Sequence, residues 1–195
     1  ICTDGFTFLQ GSACSDAIDS FCVRMKRPLT LGFTLGFTLT NNDILRRIRY
    51  TFDLTDSAMV DVFAAAAQSV STEQVIAWLT KEGEPGYTPI SDTEFAVFLN
   101  GFINTKRGKR EGEQPEPESK LNNNIIFMKL RIALNMKAED VIATLALVDF
   151  DLSKHELSAF SRKVENKHYR VCNDQILRLF LTGVQRTFRP DGEKA

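Results

Sequence analysis

A chain of 195 residues that is 43% hydrophobic and 25% charged has the balance of a globular protein able to bury its own core. Its formal net charge of −1 does not supply the basic excess on which bulk attraction to a polyanion depends. No run approaches the roughly 20 consecutive apolar residues of a membrane span. The four cysteines include no C-x-x-C pair, which excludes a zinc ribbon and a thioredoxin-type redox site.

In chain order, residues 1–39 differ from the rest of the chain. They start without Met, contain the doublet GFTLGFTL and show no helical period. The stretch MKRPLTLGFTLGFTL has a basic start and an apolar run, but it lacks the small-residue cleavage pattern of a secretory signal. The expectation is a flexible or non-native extension outside the fold. Cys2, Cys14 and Cys22 fall within it, Cys172 stands alone elsewhere, and this usage points to a reducing cytoplasm.

From Thr40 a helical pattern sets in. NNDILRRIRYTFDL places Ile44, Ile48 and Phe52 on one face of a first helix, with Asn42 as the expected N-cap. TDSAMVDVFAAAA puts Met59, Val62, Phe63 and Ala66 on the stripe of a second. STEQVIAWLTKE opens a third with Ser71 and Gln74 at capping-box spacing and buries Trp78. Pro85-Gly86 makes a turn, and a fourth helix starts at SDTE, with Ser91 and Glu94 as its box and Phe95, Phe98, Leu99 and Phe102 as its stripe. Gly101 lies inside that helix. A mid-helix glycine costs about 1 kcal/mol against alanine, so another helix is expected to cross closely there. These elements form a module over 40–105.

The segment KRGKREGEQPEPESK, residues 106–120, has no apolar residue for a core to hold and reads as a charged linker. Residues 121–189 then repeat the module, and 190–195 form a tail. Sliding the chain on itself from Asn41 to Asn123 aligns the halves without a gap. Ile44 meets Ile126, Arg49 meets Arg131, Ser71 meets Ser153, Tyr87 meets Tyr169, Asp92 meets Asp174, and FLNG meets FLTG. Gly183 therefore takes the place of Gly101. Register kept this long identifies a duplication. The fold class is all-α: two four-helix, helix-turn-helix-like modules in tandem, related by a pseudo-twofold and expected to pack through their fourth helices. The recurrence of Arg49 with Asp92, and of Arg131 with Asp174, predicts an ion pair between first and fourth helices in each module.

Chemistry is sparse. His155 and His168, the only histidines, have no metal-ligand spacing to each other or to cysteine, and neither a Gly-rich phosphate loop nor a G-x-S-x-G elbow is present. Asp53 and Asp56 read as helix-terminus residues rather than an acid/base pair. No metal or cofactor is expected, and an enzyme is the least favoured reading.

Nucleic-acid binding is the more substantial alternative. The second and third helices of each module, with VSTEQVIAWLTKE, locally resemble the helix-turn-helix of repressor-type domains, which would put the start of helix three in a major groove. That surface is Thr72, Glu73 and Gln74 in the first module and Lys154, His155 and Glu156 in the second. Charge favours the second. Residues 41–104 carry 4 basic against 9 acidic side chains, whereas residues 121–195 carry 12 against 9. Candidate phosphate contacts are Arg46, Arg47, Lys106, Arg107, Lys109, Arg110, Lys154, His155, Arg162 and Lys163; a solvated helix face and favourable charge at a helix C-terminus would place the same residues there.

The segments NNDILRRIRY, WLTKE, FLNGFI…KRGKREG, LNNNII..KLRIAL and CNDQ.LR.FL closely resemble the YehS-like bacterial family, a group of unknown function built from two such modules. The resemblance spans about residues 39–189. It implies a small, all-helical, duplicated cytoplasmic protein and carries no catalytic or ligand residue. Ile125 stands where the family pattern has an acid after Asn-Asn, so the two first helices are expected to cap differently. The reading as a whole favours a non-enzymatic binding or regulatory protein acting through a protein partner or a second copy, without membrane association.

Overall fold

The computed structural model describes residues 38–190, which form eight helices and no strand. In the first module α1 is Asn41–Thr51, α2 Asp56–Ala65, α3 Thr72–Leu79 and α4 Asp92–Arg107. In the second, α5 is Asn123–Ala133, α6 Ala138–Ala146, α7 Lys154–Phe160 and α8 Asp174–Phe188. Each helix of the second module starts 82 residues after its counterpart. The expected extension over 1–39 and the tail over 190–195 lie outside the described residues, except for Thr38, Leu39 and Pro190.

Side-chain caps start seven of these helices, because the first N–H groups of a helix have no partner within it. Thr40 and Asp43 form a reciprocal box at α1, whereas at α5 Asn122 alone accepts from Ile125 N–H, so the first helices cap differently. Ser91 with Glu94 and Ser153 with Glu156 close full boxes, and Ser71 accepts from Gln74 N–H. Asn42 does not cap. It is buried, donates to Trp78 O at 2.8 Å and Thr88 O at 2.9 Å, and accepts from Ile90 N–H. Asn124 repeats this with Phe160 O, Arg170 O and Cys172 N–H. An amide can donate twice and accept at once; a cap only accepts. The second asparagine of each Asn-Asn pair thus clamps the first helix to the end of the third and the approach to the fourth.

Helix two crosses helix four at the glycine. A Cβ on Gly101 would lie 1.8 Å from Val62 O, and one on Gly183 would lie 2.4 Å from Thr144 O, so only glycine admits the crossing. Around it Phe63 packs against Trp78 and Phe98, with centroids 5.3 and 5.4 Å apart; in the second module Phe127 packs against Phe160 and Phe180 at 5.8 and 4.4 Å. One continuous core runs through both modules.

The modules meet through two equivalent helix pairs, α4 with α5 and α1 with α8. Across the modules each fourth helix packs on the first helix of the other, so the expected packing through fourth-helix surfaces is found, with first helices as their partners. The predicted ion pairs do not form. Arg49 pairs with Asp56 at 2.7 Å and donates to Leu54 O, and Arg131 donates to Met136 O, each closing the turn beyond its own helix. The aspartates bridge modules instead. Asp92 accepts from Asn41 Nδ2 at 2.8 Å and from Leu121 N–H at 3.0 Å; Asp174 accepts from Asn123 Nδ2 at 2.7 Å and from Leu39 N–H at 2.9 Å.

Candidate functional site

The two copies of the first helix have diverged on one face. In α5, Ile126, Phe127, Leu130 and Ala133 enter the core. Ile125, Met128 and Ile132, at i, i+3 and i+7, form a second apolar stripe on the side away from it. Ile125 and Met128 are partly exposed, and Ile132 is 42% exposed. The same positions in α1 are Asp43, Arg46 and Tyr50. There Asp43 and Arg46 form an ion pair, Arg46 also donates to Thr80 O at 2.9 Å, and the Arg189 guanidinium lies 4.2 Å from the centre of the Tyr50 ring. In module one this face thus carries polar side chains, and Tyr50 is met by Arg189 from the end of α8. Module two leaves it apolar and open.

The α5 stripe floors a cleft of about 630 Å³, within the range of ligand and peptide sites. Asn100, Ile103 and Asn104 of α4 make one wall, and Phe160, Arg162, Lys163, Val164 and Tyr169 the other. Arg110, Gln114, Pro115 and Glu118 of the connecting segment close the third side. A second hollow of about 460 Å³ shares Met128 and Ile132 and continues past Arg107 toward Lys137. Together they make a groove along α5. The pseudo-equivalent place in module one is a smaller hollow of about 360 Å³, lined by Thr40, Asp43, Arg47, Glu82 and Arg178 together with Thr38 and Leu39.

Lys129 lies at the base of the cleft and is 8% exposed. Its ammonium binds Asn100 Oδ1 and pairs with Glu118 at 2.9 Å. The equivalent residue, Arg47, reaches α8 in the same way, donating to Thr182 Oγ1 at 2.9 Å and Arg178 O at 3.2 Å. Burial, and then the Arg178 charge, lower the pKa of Arg47, with Asp43 opposing. Thr182 and Asn100 are equivalent positions, so a cation bridging to the other module's fourth helix is common to both copies. Lys129 adds a carboxylate, Glu118, to this arrangement.

The candidate phosphate contacts fall into two sets. Arg107, Arg110, Arg162 and Lys163 come together around the groove, with Arg107 donating to Ile132 O and Arg162 to His168 O. The rest are dispersed. Arg46 is paired with Asp43, Arg47 is engaged with α8, Lys106 lies 4.6 Å from the centre of the Phe52 ring, Lys109 is exposed in the connecting segment, Lys154 pairs with Glu139 at 2.6 Å, and His155 is exposed beside it. At the start of α3, the Glu73 carboxyl is held below its ordinary range by its own backbone N–H and then by Ser71. Among the described residues, no group of three or more His, Cys, Asp or Glu side chains could hold a metal ion. Cys172 is a buried free thiol whose pKa burial, assisted by Asp174, pushes up to about 12. No helix among the described residues is long and apolar enough to cross a membrane.

A family model described as a protein of unknown function, DUF1456, matches the chain twice, over residues 41–108 and 123–189. These are the two modules, and the chain belongs to this family. It is 40% identical over 147 residues, 75% of this chain and 94% of the relative, to "Uncharacterized protein YehS" of Escherichia coli strain K12. No solved structure matches.

Proposed function

We propose that the chain is a non-enzymatic binding protein that acts in a reducing cytoplasm through a protein partner, seated on the α5 groove of the second module. One observation carries the reading: of two copies of the same surface, one presents the ion-paired Asp43 and Arg46 with Tyr50 under Arg189, and the other leaves the apolar Ile125, Met128 and Ile132 in an open cleft. Stability does not require the difference, since the first module folds in the same way with polar residues there. The duplication therefore supplies an internal control for a feature kept for binding.

Nucleic acid is the second reading, favoured by the four basic side chains around the same groove. It draws less support from the start of helix three, where Glu73 opposes phosphate and Lys154 is neutralised by Glu139. Affinity capture from native extract, before and after nuclease, with the parent chain and Ile132→Glu, tests both. A protein that survives nuclease and is lost with Ile132→Glu supports the partner reading. Binding that nuclease abolishes supports the alternative, and capture indifferent to Ile132→Glu removes the groove from either.

A further inference from the structure

The geometry points to an acidic amphipathic helix as the partner segment, with one of its carboxylates taking the place of Glu118 on Lys129. This rests on the reading of the groove as a docking site and specifies what docks there.

Three observations support it. First, the groove is bounded by helices and loops, with no strand among the described residues. An incoming extended segment would find no sheet edge to satisfy its backbone, whereas a helix brings its own hydrogen bonds and presents side chains only. The stripe from Ile125 to Ile132 rises about 10 Å, two helical turns, which suits a partner with apolar anchors spaced i, i+3 and i+7.

Second, the charge around the stripe is predominantly of one sign. Arg107, Arg110, Arg162 and Lys163 surround it and Lys129 lies beneath. Glu118 is the one acid lining the cleft itself, and Glu139, at the far end of the second hollow, is already paired with Lys154. Complementarity calls for carboxylates flanking the apolar anchors.

Third, Glu118 is a substitute already in position. In both modules the cation binds a neutral acceptor on the opposing fourth helix, Thr182 for Arg47 and Asn100 for Lys129. The Lys129–Glu118 contact is additional. It comes from the connecting segment, with a side chain 35% exposed although the oxygen on Lys129 is buried, so a competing carboxylate reaches the ammonium only as Glu118 swings out. The connecting segment then acts as a strap whose grip on the groove and partner binding exclude each other.

Panning a phage-displayed library of helical peptides against the intact chain tests this whatever the identity of the partner. Peptides that bind the parent and not Ile132→Glu should carry three apolar anchors and be enriched in Asp and Glu, and the enrichment should vanish when Lys129→Met is the target. The selected peptides, measured by fluorescence anisotropy, should bind Glu118→Gln about fivefold more tightly than the parent, the effect of removing one competing, partly exposed ion pair. Ile132-dependent peptides without acidic enrichment, or equal or weaker binding to Glu118→Gln, would overturn the inference and leave the groove as a docking site. Failure to recover any Ile132-dependent peptide would overturn both.

Discussion

At Gly101 the backbones of two helices come into contact, and substituting the glycine by alanine isolates that contact. The new Cβ would stand 1.8 Å from Val62 O and 2.9 Å from Val62 C. Both atoms are backbone, so no side chain can turn aside and α2 must move off α4 by about 1.5 Å to reach van der Waals distance. That movement loosens Met59, Phe63 and Phe98, all fully buried, and a gap of 0.5–1 Å already forfeits about a quarter to a half of each contact. Alanine regains about 1 kcal/mol of helix propensity. Overpacking against an immovable neighbour lies at or above the upper end of the usual range of about 1–3 kcal/mol, and the lost contacts add to it. A net loss near 3 kcal/mol is expected, with a fall in Tm of about 6–12 °C for a chain of this size. Gly183→Ala meets Thr144 O at 2.4 Å and should lose less, about 2 kcal/mol. Urea denaturation followed by circular dichroism measures both. A variant as stable as its parent would show that the helices do not cross at the glycine.

Other outcomes rest on single contacts. Asn42→Leu removes the clamp, strands Trp78 O and Ile90 N–H in the core and releases Thr88 O at its edge, so it should cost about 3–5 kcal/mol, and Asn124→Leu a similar amount, in the same denaturation assay. Ala67 is exposed at φ 61°, a conformation that burdens any side chain, so Ala67→Gly should raise stability by about 1 kcal/mol, read as a higher urea midpoint. Burial alone would raise the Asp43 pKa, but the Thr40 hydroxyl and N–H and the Arg46 charge outweigh it and hold the carboxyl below its ordinary value. A depressed folded pKa means that this stabilisation is present above the unfolded value near 3.8 and is lost as pH falls through the folded one. Asp43→Asn should therefore flatten the acid limb of the stability profile, and an unchanged limb would refute the assignment.

The architecture is legible in the sequence because duplication doubles every signal. Two Asn-Asn starts, two glycines within the fourth helix and matched capping residues fix eight helices in one register, and the glycines foretell the crossing. Polar partners are harder to read. Arg49 and Asp92 recur together, but recurrence reports that both positions matter and not that they touch: the arginine closes the turn beyond its own helix, and the aspartate gathers an asparagine and the other module's backbone. Asn42 invites the wrong assignment because an asparagine at a helix start suits a cap, and its burial depends on α3 and on residues Thr88 and Ile90, remote in sequence.

The groove is visible in the sequence in principle. Changing Asp43, Arg46 and Tyr50 to Ile125, Met128 and Ile132 at constant register turns an amphipathic helix into one apolar on two faces, and one helix cannot bury both against a single core. Averaging the modules hides that change; subtracting them shows it. Arg107, Arg110, Arg162 and Lys163 stand out by their charge, but their convergence depends on how the connecting segment folds back over α5.

The pseudo-twofold offers the most direct test of partner docking. A photoreactive benzophenone side chain at Val164, on the wall of the apolar cleft, and the same group at its counterpart Glu82, beside the smaller polar hollow, place one reporter in two equivalent settings. Irradiation in native cells should give a discrete protein adduct from position 164 and none from position 82. Adducts from both positions alike, or from neither, would contradict the assignment of the groove as the binding surface.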